Sequence, residues 1–559
     1  MRISSVYIEN FRSIEKLETA LGDICALVGP NNSGKSNFLE AVRRVLERDW
    51  VRVYSFTEED VFGRDPDRDI TIRIWFDVPL LYESFKNVDP TEIHGLEFVW
   101  TRYKKGAQAG ERRLQQTCLN EHGDPAQILA RAPHKGEQRQ YKPLVTIPSE
   151  VQGQVPLIYI GTSRALADHL PRARHSLLGQ LMDDIDRGFH DPSCVIPVQR
   201  ETGVETITRA ERYAELSESM MALLRTDALQ ELEDDIRSEA LRYLGFDPEE
   251  DISKLDFRFA AFDTKEFYRS LDLLVKEEGF SISATALGEG FQNAIVLSLL
   301  KAFEKRRKQG AIILIEEPEM FLHPQMQRSL YRTLRKLADN NQIVYTTHSP
   351  HFLTIPDYMR VGLVRRGTNG TAIRFSDLKS EIVDKEKLRK ELDPDRSELF
   401  FADRLLLVEG DTERLALPEY ARRLGVDLAA ANTSIVAVGG KRNLKPFHEI
   451  ASSFGIPAGI LYDRDASDFE SKRGEEASFN AELDALASSD DTCQVWRLEK
   501  NYEDELRRTI GEEQYLALCS EHGRNKALRG RLIAAEGLAP IPEKLVSALS
   551  WLVGRELSG

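Results

Sequence analysis

Apolar positions along the chain follow two rhythms, and the alternation between them predicts the elements. Val6-Tyr7-Ile8 opens with a strand signal. Ile24-Cys25-Ala26-Leu27-Val28 is a short, continuous apolar run of strand type. Phe38, Leu39, Val42, Val45 and Leu46 then recur at helical spacing. Over residues 69–78, Ile70, Ile72, Ile74, Phe76 and Val78 alternate with Thr71, Arg73, Trp75 and Asp77, the pattern of a half-buried strand. Residues 95–145 mix strands with basic turns at Lys104-Lys105-Gly106, Arg112-Arg113 and His134-Lys135. From about 165 to 250 the period turns helical, with Met220, Leu224, Leu229, Leu232, Ile236 and Ala240 before a stop at Gly245. Strand signals return at Phe257 and Phe259, followed by an apolar helix through Ile295, Val296, Leu299 and Leu300. Five buried strands then come in turn: Ile312–Ile315, Gln342–Thr347, Leu405–Val408, Ser434–Val438 and Ala458–Tyr462. The chain is expected to be α/β, and from Leu405 on the alternation of strands with helices suggests a small parallel sheet.

Composition narrows this. A chain of 559 residues suggests two to four domains with ample core. Hydrophobic residues make up 41% and charged residues 30%, a soluble globular balance. There is no apolar run of about 18 residues, so no membrane span is expected, and the N-terminus does not resemble a signal peptide. Five scattered cysteines without a C-x-x-C fit a reducing cytoplasm better than a disulfide framework or a zinc site. The net charge of −16 excludes a general polyanion binder. Any nucleic acid must be met through local basic loops or bridging metal ions.

The most specific stretch is Gly29-Pro30-Asn31-Asn32-Ser33-Gly34-Lys35-Ser36, spaced G-x-x-x-x-G-K-S between a strand and a helix. Glycines at 29 and 34 let the backbone curl so that N–H groups, including those of Asn31 and Asn32, face a polyphosphate. The helix N-terminus adds partial positive charge. Lys35 can reach the β- and γ-phosphates and Ser36 can hold Mg²⁺. ATP with Mg²⁺ is therefore the expected cofactor of this half.

Three further stretches follow in order. Leu287-Gly288-Glu289-Gly290-Phe291-Gln292 opens a helix, Ile312-Ile313-Leu314-Ile315-Glu316-Glu317 ends a strand in two carboxylates, and Thr346-Thr347-His348 ends another in histidine. With the Gly29–Ser36 loop they resemble the P-loop, signature, Walker B and switch of ABC-type ATPases. The resemblance implies that Glu316 supports Mg²⁺, that Glu317 orients the attacking water and that His348 contacts the γ-phosphate. It also implies that Gly288, Gly290 and Gln292 complete the nucleotide site of another subunit, which requires at least a homodimer. Glu316 stands where Asp is commoner. Arg12, in Phe11-Arg12-Ser13, matches an arginine that lies near the nucleotide in the same family.

The highly charged run at 378–399 marks a domain boundary. Beyond it, Leu407-Val408-Glu409-Gly410-Asp411-Thr412-Glu413 ends a strand in glutamate, and Leu461-Tyr462-Asp463-Arg464-Asp465 ends another in D-x-D. In open parallel sheets, sites gather beyond the strand C-termini, so Glu409, Asp463 and Asp465 are expected to meet there. A later acidic cluster, Glu499, Glu503, Asp504 and Glu505, has Glu499 and Glu503 four apart, on one face if helical. Asn525-Lys526 follows. This half resembles a Toprim domain, which binds Mg²⁺ and works on phosphodiesters.

The order of ABC-type ATPase, helical insertion and Toprim resembles the OLD (overcoming lysogenization defect) nucleases, to which the Gabija defence nuclease is related. The most specific pieces are Ser397-Glu398-Leu399-Phe400-Phe401-Ala402-Asp403 and the Glu409–Glu413 segment after it. The resemblance implies a two-metal site with Mg²⁺ or Mn²⁺ held by Glu409, Glu413, Asp463, Asp465, Glu503 and Glu499. Lys526 would be the cation that stabilises transition-state charge. The expected layout is 1–164 ATPase, 165–252 helical insertion and possible dimerisation arm, 253–378 ATPase, 379–398 linker and 399–559 Toprim. The expected activity is DNA endonuclease or nickase controlled by a dimeric ATPase, in phage defence or DNA processing, with a helicase-type partner implied by the resemblance alone. The alternative is an ATP-driven clamp or signalling ATPase whose Toprim domain does not cut. A topoisomerase would need a tyrosine-bearing gate domain, which is not evident after the Toprim region.

Overall fold

The computed structural model describes the chain except residues 48–50, 86–87, 132–138, 164, 174–175, 202, 256, 258–262, 278, 307–309, 354, 379–393, 465–469, 490–491, 522–524, 537–539 and 558–559. It divides into two compact units, Met1–Thr162 with Gln309–Gly559, and Ser163–Lys308. The linker residues 379–393, the expected strand residue Phe259, the basic pair His134-Lys135 and the acid Asp465 lie outside the described residues.

The first unit begins with β1 (Ile3–Phe11), β2 (Ile14–Ala20), β3 (Ile24–Val28) and α1 (Lys35–Leu46). It continues through β4 (Ile70–Tyr82), β5 (Thr91–Arg102), β6 (Arg112–Leu119) and β7 (Leu157–Ile160). The alternation expected in β4 holds to Phe76. A register shift between Trp75 and Leu80 then turns Val78 out to solvent. In the basic hairpin between β5 and β6, Arg112 is committed to Glu58, 2.6 Å away, and stacks over Trp100.

The second unit carries α2 (Leu177–Phe189), α3 (Arg209–Leu224), α4 (Asp227–Tyr243) and α5 (Glu289–Arg306), with hairpins at Val195–Arg200/Gly203–Thr208 and Leu274–Glu277/Phe280–Ser283. The apolar stripe expected across 220–240 is split between α3 and α4, because Thr226 accepts from the N–H of Leu229 and caps a new helix. Leu224 and Leu232 on those helices are 50% and 54% exposed.

Chain returning to the first unit forms β8 (Ile312–Glu316), α6 (Pro324–Leu337), β9 (Gln342–Thr347), β10 (Val361–Gly367) and β11 (Gly370–Phe375). One sheet of eleven strands runs β6-β5-β4-β1-β2-β11-β10-β3-β9-β8-β7. Its β10, β3, β9, β8 and β7 are mutually parallel and its remaining pairs antiparallel. Strands β3, β8 and β9 are buried along their whole length because both faces are covered. Phe38, Leu39 and Val42 of α1 are buried in a core shared with β1, β4, β5 and β8.

A second sheet follows, made by β12 (Arg404–Val408), α7 (Asp411–Arg423), β13 (Thr433–Ala437), α8 (Leu444–Ser453), β14 (Ala458–Asp463), α9 (Glu470–Ser489) and β15 (Val495–Leu498). Its order is β13-β12-β14-β15, all parallel. Helices α10 (Tyr502–Ile510), α11 (Glu512–Glu521), α12 (Lys526–Glu536) and α13 (Glu543–Val553) complete this half. The halves meet where Arg365 of β10 donates to the Ala402 carbonyl at 2.7 Å and pairs with Asp403. No helix among the described residues is long and apolar enough to cross a membrane.

Candidate active sites

Three adjacent parallel strands deliver the first constellation. Glu316 at the end of β8 is in register with Thr346 of β9, and Thr346 with Leu27 of β3, so the Gly29–Ser36 loop, both carboxylates and His348 emerge at one sheet edge. The loop needs its glycines for contact as well as curvature. A Cβ at Gly29 would lie 2.1 Å from the Val364 carbonyl oxygen. At Gly34, whose φ is +106°, it would lie 2.1 Å from Thr371 Oγ1.

Lys35 is 5% exposed and its Nζ donates to the carbonyls of Gly29 and Pro30 at 2.8 and 2.9 Å. Burial brings its pKa down to about 8, although Glu317 and Glu319 pull the other way. Glu316 is 7% exposed. Burial raises its pKa, partly opposed by hydrogen bonds from Ser36 and Tyr159. The Ser36 bond joins the two residues expected to share Mg²⁺. Glu317 adopts φ +43°, held by its N–H donating to the main-chain oxygen and hydroxyl of Thr346, each at 3.0 Å. Its carboxylate lies 3.6 Å from His348 Nε2. Burial, then the charge of Lys35, lowers the His348 pKa, which favours the neutral imidazole. Such a ring can donate to a phosphate oxygen and accept from a water.

Residues given no role in the sequence reading hold this site. Asn37 donates to Ser13 Oγ at 2.8 Å, Ser13 lies 2.8 Å from Thr371 Oγ1, and Thr371 donates to the Ser33 carbonyl at 2.8 Å. Glu319 accepts from Thr347 Oγ1 and from the N–H groups of His348 and Ser349, and so fixes the switch turn. Arg12 donates to Asp60 at 2.8 Å, and Arg44 meets the same carboxylate at 2.7 Å. Arg12 uses its Nε in that pair, and its side chain remains about a third exposed. In the second unit, Gly288 and Gly290 bracket the start of α5. Gln292 accepts from the Leu166 N–H and donates to the carbonyls of Thr285 and Leu287, so it clasps its own loop.

The second constellation stands beyond the ends of β12 and β14. Glu409 accepts from the Asp463 N–H at 2.8 Å, so these two expected donors are brought together. Glu413, in the first turn of α7, is 7% exposed and burial raises its pKa. Helix α12 packs on α7 through Gly530, where a Cβ would lie 2.9 Å from Thr412 Cγ2. That approach sets Lys526 2.9 Å from Glu503. Glu499 is separated from these. It sits before α10, whose N-cap is Asn501, so it does not share a helical face with Glu503. Lys544 at 3.5 Å and Arg464 at 3.6 Å flank Glu499, and Lys544 holds its pKa below the usual carboxylate range. The donors Glu409, Glu413, Asp463 and Glu503 are all oxygen ligands, the chemistry Mg²⁺ and Mn²⁺ take, and a buried carboxylate such as Glu413 favours a cation beside it. Among the described residues, no three acidic, histidine or cysteine side chains already form a closed cage.

Comparison with known proteins agrees with both halves. A family model described as AAA ATPase domain matches residues 1–141 and 204–353, just over half the chain. The chain belongs to that ATPase family. A second model, described as overcoming lysogenization defect protein-like TOPRIM domain, matches residues 400–465. The OLD nuclease of Thermus scotoductus is 29% identical over 498 residues, covering 86% of each chain. The Old nuclease of Escherichia phage P2 is 24% identical over 83% of this chain and 77% of its own. Endonuclease GajA of Bacillus cereus is 23% identical over 85% and 77%. The chain thus carries an AAA ATPase domain and an OLD-like Toprim domain, and it is similar to OLD nucleases over most of its length.

The Toprim edge also carries a cation that the sequence reading passed over. Lys441, directly after Gly439-Gly440, donates to the main-chain oxygen of Asp463.

Proposed function

We propose that this protein is a divalent metal-dependent DNA endonuclease or nickase whose Toprim site is governed by an ATP-binding homodimer, acting in phage defence or DNA processing. The observation that carries the reading is the direct hydrogen bond between Glu409 and Asp463 at neighbouring strand ends, with Glu413, Glu503 and Lys526 on the helices beside them. Glu409, Glu413 and Asp463 would hold Mg²⁺ or Mn²⁺, with Glu503 and Asp465 as further donors. Bound metal supplies charge stabilisation for the attacking and leaving oxygens of a phosphodiester. Lys526, 2.9 Å from Glu503, would offer a cation to the negative charge that builds on the phosphate oxygens.

In the ATPase half, Gly29, Asn31, Asn32, Gly34 and Lys35 would wrap the phosphates, with Ser36 and Glu316 on Mg²⁺. Glu317 would orient water and His348 would contact the γ-phosphate. Gly288, Gly290 and Gln292 would face the nucleotide of a second copy. The exposed apolar positions Met220, Leu224, Leu232 and Ile236 support an interface on the second unit.

Supercoiled plasmid incubated with Mg²⁺ or Mn²⁺, with and without ATP, beside Asp463→Ala, tests the proposal. Nicking or linearisation by wild type alone supports it, and the ATP lanes give the sign of the coupling. ATP hydrolysis without strand scission under any metal or nucleotide condition would favour the clamp instead.

A further inference from the structure

We propose that Lys441 is a second cation of the nuclease site, which positions a DNA phosphate beside Asp463; this rests on the nuclease reading above. The sheet order β13-β12-β14 puts three strand ends side by side. Glu409 follows β12, Asp463 ends β14, and the loop after β13 supplies Lys441. That loop is turned over the sheet edge by Gly439 and Gly440, with φ of +76° and +123°. Its path is fixed at two points. The Gly440 N–H donates to the Glu409 carbonyl at 2.8 Å, and buried Asn443 donates to the Val438 carbonyl at 2.9 Å.

So placed, Lys441 donates to the main-chain oxygen of Asp463, and its Nζ lies 5.1 Å from the centroid of the Tyr462 ring. Tyr462 is itself buried, with its hydroxyl 2.9 Å from Asp484. The lysine is therefore locked against the strand that carries the acid, by a cation–π contact and a hydrogen bond. The hydrogen bond it makes to Asp463 goes to a neutral carbonyl, whereas Lys526 stands against the Glu503 carboxylate. An ammonium carries three N–H donors and one carbonyl takes one of them. The charge of Lys441 is thus held half-buried at the carboxylate edge, where an approaching phosphodiester would otherwise meet mainly acids in a chain of net charge −16. Lys441 tethers the Asp463 strand end in the free protein and turns a donor to a non-bridging phosphate oxygen when DNA binds.

The experiment compares wild type, Lys441→Met and Lys441→Arg in two arms. In the first, a fluorescein-labelled duplex is titrated in Ca²⁺ at several salt concentrations. In the second, plasmid cleavage in Mn²⁺ is measured as kcat and KM for DNA. Loss of one phosphate contact makes the slope of log affinity against log salt shallower by about 0.9. The expected result is that slope change for Lys441→Met, a KM raised about tenfold, and substantial recovery in Lys441→Arg, with wild-type melting temperature throughout. A lysine that only braces the strand would shift the half-saturating Mn²⁺ concentration and leave the salt slope alone. That result, or a wild-type slope and KM in Lys441→Met, overturns the proposal. Should wild type fail to cut DNA at all, the nuclease reading falls and the binding arm still decides on Lys441.

Discussion

The main-chain N–H of Asp463 donates to the carboxylate of Glu409 at 2.8 Å, so one proposed metal ligand is already braced by the backbone of another. The bond spans the ends of neighbouring strands β12 and β14 and spends one carboxylate oxygen on protein structure. Two substitutions separate the brace from the charge. Glu409→Gln keeps an acceptor and loses the charge; Glu409→Ala loses both. Nicking in Mn²⁺ is expected to fall at least about 100-fold in either, equivalent to roughly 2.7 kcal/mol of transition-state stabilisation. Only Glu409→Ala is expected to lower the melting temperature. Wild-type nicking by Glu409→Gln would remove Glu409 from the metal site.

The sequence carried the skeleton of both sites because their residues sit at fixed offsets from buried strands. Gly29–Ser36, Glu316-Glu317, His348, Glu409 and Asp463 all end apolar runs, and the sheets bring those ends together whatever the loops do. What the sequence did not carry depends on contacts made far along the chain. Ser13 and Thr371 are 358 residues apart, and nothing in either neighbourhood marks them as a P-loop brace. Arg12 and Gln292 fit family positions, yet their side chains meet partners, Asp60 and Leu166, that no local pattern predicts. Glu499 and Glu503 share a face only if one helix runs through both, and Asn501 starts the helix between them. Lys441 was legible in principle: G-G-K after a buried strand, at the same sheet edge as E-G-D and D-R-D.

The Asn37–Ser13–Thr371–Ser33 chain predicts that the P-loop depends on a strand more than 300 residues away. Thr371→Val keeps the shape and leaves the buried Ser33 carbonyl without that donor, a cost of about 1–3 kcal/mol. The expected outcome is a raised KM for ATP with a smaller change in kcat, because the loop that wraps the phosphates loses its shape before it loses its catalytic acids. Steady-state ATP hydrolysis checks this. An unchanged KM would mean that the loop holds itself.

Asp60 is 5% exposed and takes hydrogen bonds from Arg12, the Thr57 N–H and Arg44. Burial alone would raise its pKa, but these bonds together hold it below the usual value. A carboxylate depressed in the folded state contributes stability that is present above its unfolded pKa, about 3.9, and is lost as pH falls through its folded value. Asp60→Ala is therefore expected to destabilise the ATPase half by about 1–3 kcal/mol at neutral pH, since it removes the carboxylate from Arg12 while Arg44 keeps Glu40 at 2.8 Å. Its difference from wild type should shrink as pH is taken below about 4. Melting temperature against pH is the measurement, and a gap that widens in acid would contradict it.

Glu317 and Glu316 are adjacent in sequence but differ in setting. Glu316 is buried, with hydrogen bonds from Ser36 and Tyr159, whereas Glu317 projects from a left-handed residue toward His348. Glu317→Gln is therefore expected to stop hydrolysis while ATP binding persists, and Glu316→Gln to weaken Mg²⁺-ATP binding itself. Titration with a fluorescent ATP analogue, beside a phosphate-release assay, separates the two. If plasmid nicking by Glu317→Gln in ATP matches wild type without nucleotide, the nucleotide does not gate the nuclease.

Gly530 gives the test of how Lys526 is placed. A glycine inside helix α12 costs about 0.8–1.0 kcal/mol relative to alanine, so its presence calls for a packing reason. The reason is contact: a Cβ there would lie 2.9 Å from Thr412 Cγ2 and 3.4 Å from Tyr502 Cε1. Thr412 is flanked by Asp411 and Glu413, and Tyr502 precedes Glu503, so residue 530 sets the spacing between both acids and the lysine at the head of its own helix. Gly530→Ala presses on a methyl group that can shift by tenths of an ångström. Gly530→Val must push α12 off α7 and draw Lys526 away from Glu503. Nicking should therefore fall in steps, slightly for alanine and at least about tenfold for valine, or roughly 1.4 kcal/mol. ATP hydrolysis should hold in both, because the atoms nearest a side chain at 530 belong to Thr412 and Tyr502 of the Toprim half. Equal loss of the two activities would mean that the whole chain had unfolded, and full nicking by Gly530→Val would show that Lys526 does not need this helix where it stands.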